Sequence, residues 1–192
     1  MNSYETRHLR AMKDRNATPD SCAPMSFAEF AALPARRPVA EYAAIEQRGV
    51  AIEGWVQHVV RAADGDLHLE LAATPRSPVW DSPAFQDTAY VTAEITPEVR
   101  ARHPAWTYEA LTRLFRPIRG TGLEGRAGLV DSWEQGPARV RLSGWLLYDF
   151  PNDRGRIERE HAKLALGAWE IHPVTKIEAW DGRRSEWIEA LP

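Results

Sequence analysis

The residues best suited to chemistry lie in two short segments that are far apart in the chain, His68-Leu69-Glu70 and Glu170-Ile171-His172. Because successive side chains of a β-strand point to opposite faces, His68 shares a face with Glu70, and Glu170 shares a face with His172. Imidazoles and carboxylates gathered on one side of a sheet can bind iron, zinc or manganese, or do acid–base chemistry. The candidate ligands of a divalent metal ion, the one cofactor that the sequence suggests, are therefore His68, His172, Glu70 and Glu170.

A solvated strand face carries the same alternation of polar residues, so this second interpretation of the two segments stays open.

The predicted strand at residues 89–95 contributes a further acidic residue. Its alternate apolar residues Val91, Ala93 and Ile95 are predicted to face the core. Glu94 then points outward with the polar pairs, and we include it among the candidate ligand-binding residues.

A long charged loop follows the segment that ends at Phe150 and supplies a second group of candidate ligand-binding residues, Arg154, Arg156 and Arg159. Guanidinium groups suit bidentate contacts with phosphate. The acids of the same loop cancel this charge locally, so the loop is equally typical of a solvated surface segment.

The strands and helices that position these residues can be predicted from the spacing of apolar residues and from the residues that begin or end an element. The apolar period changes to two at Gly49, and Asp64-Gly65 indicates a hairpin turn. Ser26 begins a capping-box pattern, and Thr96-Pro97 indicates the start of a helix that Pro104 divides on its way to Phe115. The predicted strands span residues 49–62, 67–72, 89–95, 139–150 and 168–180, with an irregularity at Pro173.

Four regions follow from these elements. Residues 1–25 are predicted to be a flexible leader, 26–48 a helical extension, 49–180 a barrel domain and 181–192 a C-terminal tail. A stretch with glycines at 120, 122, 125 and 128 is predicted to be loop. The predicted order is three strands, one helix and two strands. This is the order of the OB-fold, a five-stranded Greek-key barrel. The sequence thus predicts a mainly β fold of this kind with helical additions, and an open α+β sheet is the alternative.

Two stretches resemble the signature segments of a group of bacterial OB-like hypothetical proteins that have no assigned activity. Residues 64–71 read DGDLHLEL and residues 168–178 read AWEIHPVTKIE, which is similar to the pattern GDxHLxL … WE[IL]HPVxxIE. The resemblance covers about Gly49 to Glu178 and is specific at these two segments. It implies the OB-like fold and no chemistry.

The composition and charge of the chain argue against several classes of protein. The chain has 192 residues, a hydrophobic fraction of 44% and a net charge of -3, and it has no apolar run long enough to span a membrane. The charge gives no general attraction to nucleic acid, although a nucleic-acid partner stays possible. A single cysteine excludes an intramolecular disulfide and a cysteine-based zinc site. No stretch of residues 1–25 resembles a signal peptide, so a cytoplasmic location is expected.

We expect an OB-like ligand-binding module that uses the face of the second, third and fifth predicted strands. Its ligand could be a nucleotide, an oligonucleotide or a protein, and the sequence does not specify an oligomeric state. A metal-dependent hydrolase or phosphodiesterase built on the His/Glu cluster is the first alternative. A structural partner subunit, with exposed tryptophans at an interface, is the second.

Overall fold

Five strands close into a β-barrel in the computed structural model, which describes residues 3–35, 37–75, 90–115, 119–121, 127–129, 138–151 and 165–192. The barrel strands are β2 (Gly49–Arg61), β3 (Leu67–Ala72), β4 (Tyr90–Ile95), β7 (Arg139–Tyr148) and β8 (Ala165–Asp181). The added strands are β1 (Ala23–Pro24), β5 (Arg119–Thr121), β6 (Ala127–Leu129) and β9 (Glu186–Glu189). The helices are α1 (Ser3–Lys13), α2 (Phe27–Ala31), α3 (Val39–Tyr42), α4 (Pro97–Arg102) and α5 (Tyr108–Phe115).

The strand order confirms the mainly β, OB-like prediction. The strands pair in the order β2-β3-β4-β8-β7, and β7 returns to the other edge of β2 and closes the barrel. The pairs are antiparallel except β4–β8, which is parallel. α4 and α5 connect the third barrel strand to the later ones, as the predicted order requires.

The barrel interior holds the apolar residues that alternate along each strand. On β3 the inward side chains are Leu67, Leu69 and Leu71, and all are buried. Burying a leucine, isoleucine or valine side chain contributes about 1.5–3 kcal/mol each, so this interior is the main source of stability. The outward side chains of the same strands are therefore held in fixed positions.

Several local predictions agree with the structure. Ser26 and Glu29 form the capping box of α2, and Thr96 accepts a hydrogen bond from the Val99 backbone at the start of α4. The β2–β3 turn contains Gly65 with a φ of 95°, a conformation that favours glycine. The pairing of β7 with β8 is irregular on both sides of Gly144, whose partner is Val174, the residue after Pro173. A Cβ atom on Gly144 would lie 2.2 Å from the carbonyl oxygen of Pro173, so the close approach requires glycine.

The N-terminal region differs from the predicted flexible leader. It forms α1 and a following segment that we call the strap (residues 14–24), which lies across the outside of the barrel. Arg15 donates to the Glu46 carbonyl at 2.7 Å and to the Leu146 carbonyl at 2.9 Å, and Trp145 Nε1 donates to the Ala17 carbonyl at 2.6 Å. β1, at the end of the strap, pairs with β2. Polar contacts and the buried Pro19 hold this region, and a search for an apolar period detects neither.

Two other predictions also need correction. The glycine-containing stretch includes the paired strands β5 and β6, and β5 extends the sheet beside β2. The predicted C-terminal tail includes β9, which forms a hairpin with β8. Among the described residues, no helix is both long and apolar enough to cross a membrane.

Candidate metal centre

A cluster of histidine and acidic side chains lies on the outer face of β3, β4 and β8. His68 on β3 is the direct cross-strand partner of Glu94 on β4. Ala93 of β4 is the partner of Ile171 on β8, so His172 emerges beside Glu94. Strand alternation alone, applied to three neighbouring strands, brings these side chains to one place.

The Glu94 carboxylate lies between the two imidazoles. His68 Nε2 is 3.2 Å from Glu94 Oε1, and His172 Nε2 is 3.4 Å from Glu94 Oε2. Asp66, just before β3, adds a second carboxylate, whose Oδ2 lies 3.7 Å from His172 Nε2. The prediction that His68 and His172 share an acidic environment with Glu94 thus agrees with the observed positions.

Burial sets this cluster apart from a solvated strand face. Glu94 is 3% exposed and His172 is 1% exposed. Asp66 is 9% exposed, while the His68 side chain keeps 35% of its surface accessible. Buried charged groups are costly unless they are paired or bind an ion, so the cluster must be compensated electrostatically.

Two overlapping sets of side chains have the spacing of metal ligands. In the buried set, one ligand atom from each of Asp66, Glu94 and His172 lies within 4.8 Å of the other two. Asp64, Asp66 and His68 form a second, more exposed set under the same limit. Ligand atoms at about 2.0–2.2 Å from a tetrahedral zinc ion lie about 3.3–3.6 Å from one another. The two separations at His172 Nε2, 3.4 and 3.7 Å, are close to that spacing.

Hydrogen bonding within the buried set is incomplete. Although His172 Nε2 is near Glu94 Oε2, this oxygen is buried and has no hydrogen-bond partner among the residues that the structure describes. The same holds for His172 Nδ1 within those residues. Leaving a buried polar group without a partner costs about 1–3 kcal/mol. A cation placed between Asp66, Glu94 and His172 would satisfy the Glu94 oxygen and the His172 Nε2 lone pair together.

Lys13 of α1 lies beside acidic residues of the cluster and its surroundings. Lys13 Nζ lies 3.4 Å from Asp149 Oδ2. Burial lowers the pKa of Lys13, but the charges of Glu170, Asp149 and Glu94 outweigh burial, and the net result is a raised pKa. Lys13 is therefore a fixed positive charge beside these carboxylates.

The structure places Glu70 and Glu170 outside both three-residue sets. Glu70 lies with His58 of β2, whose Nδ1 is 3.4 Å from Glu70 Oε2. Glu170 is fully buried and interacts electrostatically with Lys13. The loop arginines at 154, 156 and 159 lie outside the described residues.

Sequence reasoning missed Asp66 and Lys13. The signal for Asp66 was available, because Asp66, His68 and Glu70 follow the same period of two. No comparable signal existed for Lys13, since it lies in the region that was predicted to be flexible.

The sequence matches no protein-family model, and no curated protein aligns with it significantly. The resemblance to the bacterial group with the GDxHLxL and WE[IL]HPVxxIE segments therefore stays a prediction.

Proposed function

We propose that this OB-like barrel binds a divalent transition-metal ion through Asp66, Glu94 and His172, with His68 at the edge of the site. The single observation that carries the proposal is the buried Glu94 carboxylate, whose Oε2 has no hydrogen-bond partner among the described residues although an imidazole nitrogen lies 3.4 Å away. The atoms of the buried set are spaced as if around a common point, which is the arrangement of a metal centre.

Mixed nitrogen and oxygen ligands favour zinc, manganese or iron over calcium and magnesium, which prefer oxygen. Asp66 belongs to both three-residue sets, so it could bridge a second ion at Asp64 and His68. That outer set is more exposed, and we therefore expect it to bind the weaker of the two ions.

A metal-assisted hydrolase of phosphate esters is the second candidate function. The buried set supplies three protein ligands, and a catalytic site with three protein ligands leaves a position for water, whose pKa the ion would lower. His68, which is partly exposed, lies where a bound water or substrate would meet solvent.

Calorimetric titration of tag-free, chelator-treated protein with Zn²⁺ and Mn²⁺ tests the metal proposal. We expect one tight equivalent of zinc. We expect His172→Ala to lose at least about tenfold in affinity, because loss of a group that only supports a ligand already costs about 10–100-fold. The matched control is His58→Ala, which removes an imidazole of similar position from the outer face and should leave the affinity unchanged.

Two results would overturn the metal proposal. One is wild-type protein that binds neither ion, and the other is a His172→Ala variant that is folded by circular dichroism and binds zinc as tightly as wild type. If His172→Ala does not fold, Asp66→Asn gives the same test with a change that keeps the side-chain shape.

A further inference from the structure

Three buried acidic residues form a row across the outer faces of three neighbouring strands, β4, β8 and β7. Glu170 of β8 is the cross-strand partner of Thr92, and Glu94 lies two residues further along β4 on the same face. On its other side Glu170 is the partner of Leu147, and Asp149 lies two residues further on. We call Asp149, Glu170 and Glu94 the acidic row. Their exposed fractions are 2%, 0% and 3%, so the row needs a positive charge nearby.

Lys13 of α1 is positioned to supply that charge. Its Nζ lies 3.4 Å from Asp149 Oδ2, at the β7 end of the row. Burial lowers the pKa of Lys13, but the charges of Glu170, Asp149 and Glu94 raise it by more. The ammonium group therefore interacts with all three acids, although it forms its ion pair with the first of them.

The other polar contacts of α1 and the strap are made with groups outside the metal centre. His8 Nε2 lies 2.5 Å from Glu46 Oε2, and Arg15 donates to the carbonyls of Glu46 and Leu146. A metal ion at Asp66, Glu94 and His172 would leave these contacts in place. The Lys13 contact is thus the one through which such an ion would act on the helix.

The acidic row and the candidate metal centre share Glu94. A metal ion would lie at the β4 end of the row, and the Lys13 ammonium lies at the β7 end. Because adjacent strands are about 4.8 Å apart and β8 lies between β4 and β7, the two positive charges would be separated by about 10 Å. Their repulsion would be stronger over a buried row than in open water, where the dielectric constant is high.

We propose that α1 is a built-in competitor of the metal ion, because Lys13 neutralises the same acidic row when the helix is docked on the barrel. A bound ion and a docked helix then weaken each other. This inference rests on the proposed metal function and adds its regulation, since Lys13 sets the metal affinity without touching the ion. Coupling of this kind is reciprocal, so release of the helix tightens metal binding by the factor by which the metal favours release.

Calorimetric titration of the full chain with Zn²⁺ at low salt, after chelator treatment, tests the coupling. Lys13→Met should bind zinc about threefold or more tightly than wild type, because the divalent ion no longer meets an ammonium group about 10 Å away. Lys13→Arg keeps the charge and should bind zinc as wild type does. The second control is Arg10→Met, which removes a positive charge from the same helix where the side chain is 83% exposed, and it should also match wild type.

Amide hydrogen exchange in wild type gives a second measurement that needs no variant. Saturating zinc should quicken exchange of residues 4–13 by about the same factor, since local opening of the helix becomes easier. Exchange of α5 is the internal reference, and zinc should leave it unchanged or slow it.

Three results would overturn the coupling and leave the metal proposal intact. They are a folded Lys13→Met variant that binds zinc no more tightly than wild type, a Lys13→Arg variant that tightens zinc as much as Lys13→Met does, and unchanged or slower exchange of α1 in zinc. Failure of the proposed function would look different, because neither wild type nor Lys13→Met would bind zinc. That outcome would remove the metal centre and the coupling together.

Discussion

At the scale of single residues, the role of Glu94 distinguishes an ion-pair cluster from a metal site. A carboxylate between two imidazoles can be an ion-pair acceptor for protonated histidines, or it can be a metal ligand that neutral histidines accompany. The two roles differ in what happens when the charge is removed. The unsatisfied Oε2 of Glu94 favours the metal role.

Glu94→Gln separates these roles because it removes the charge and keeps the shape. In chelator at pH 8 we expect the Tm to stay within about 2–4 °C of wild type, since the repulsion from Asp66 and the attraction to Lys13 are lost together and a net change of about 1 kcal/mol has that effect in a chain of this size. In wild type, zinc at a hundred times its Kd should add about 2.7 kcal/mol of stability, and the variant should gain far less. Scanning calorimetry with and without zinc measures both effects.

The control for this variant is Glu70→Gln, which removes a carboxylate from the half-buried pair with His58. It should respond to zinc as wild type does. A metal-free Glu94→Gln protein that melts well below wild type, with an undiminished response to zinc, would show instead that Glu94 serves only as the acceptor for the two histidines.

At residue scale the sequence predicted part of the site. Alternation put His68, Glu94 and His172 on one face, because the period of two is exact along a strand. It could not show that Glu70 lies with His58. That contact depends on a register shift between Val56 and His58 in β2, which periodicity does not reveal.

At the scale of elements, α1 and the strap change the character of the outer face. A barrel face covered by a helix becomes a low-dielectric environment, where charges interact more strongly than at an open surface. Lys13 is the link between the helix and the cluster, through Asp149 and the nearby acids. Periodicity did not predict this arrangement, because the half-buried face of α1 mixes apolar residues such as Leu9 and Met12 with charged ones such as Lys13.

Lys13→Met should destabilise the metal-free protein by about 0.5–1 kcal/mol between pH 7 and 9, a value that allows for solvent screening of a partly exposed amine. Attraction to the acids raises the Lys13 pKa above its ordinary 10.5 despite burial. Its contribution is therefore complete below pH 10.5 and is lost as the pH rises through the folded-state pKa. Urea unfolding at pH 8 and pH 11 measures the difference.

Arg10→Met serves as the comparison, since Arg10 is on the same helix with its side chain 83% exposed. Its small effect should not vary between the two pH values, because arginine stays charged at both. If Lys13→Met still lowered the free energy of unfolding by as much or more at pH 11, then packing, and not charge, would hold α1 on the barrel.

At the scale of the whole molecule, the barrel and the helices that begin at Ser26 and Thr96 were predictable, and the added strands were not. Strand period, the Asp64-Gly65 turn and the caps at Ser26 and Thr96 are local signals, and each appears in the structure. β5 and β9 are short strands that pair with the edges of the longer strands β2 and β8, and β6 pairs in turn with β5. Nothing in their own sequence requires them, so local reasoning could not find them.

Barrel closure positions the candidate metal centre. β2 pairs with β3 on one edge and with β7 on the other, which fixes the β2–β3 turn that carries Asp64 and Asp66. Asp66 thereby meets Glu94 of β4 and His172 of β8, whose strands come later in the chain.

Anomalous diffraction at the zinc absorption edge, from crystals of the full chain grown with one equivalent of Zn²⁺, is the most direct measurement of the central claim. We predict one strong peak at about 2.0–2.2 Å from His172 Nε2 and from a carboxylate oxygen of each of Asp66 and Glu94. The contradicting result is bound zinc whose strongest peak lies elsewhere, with no anomalous density among these three side chains.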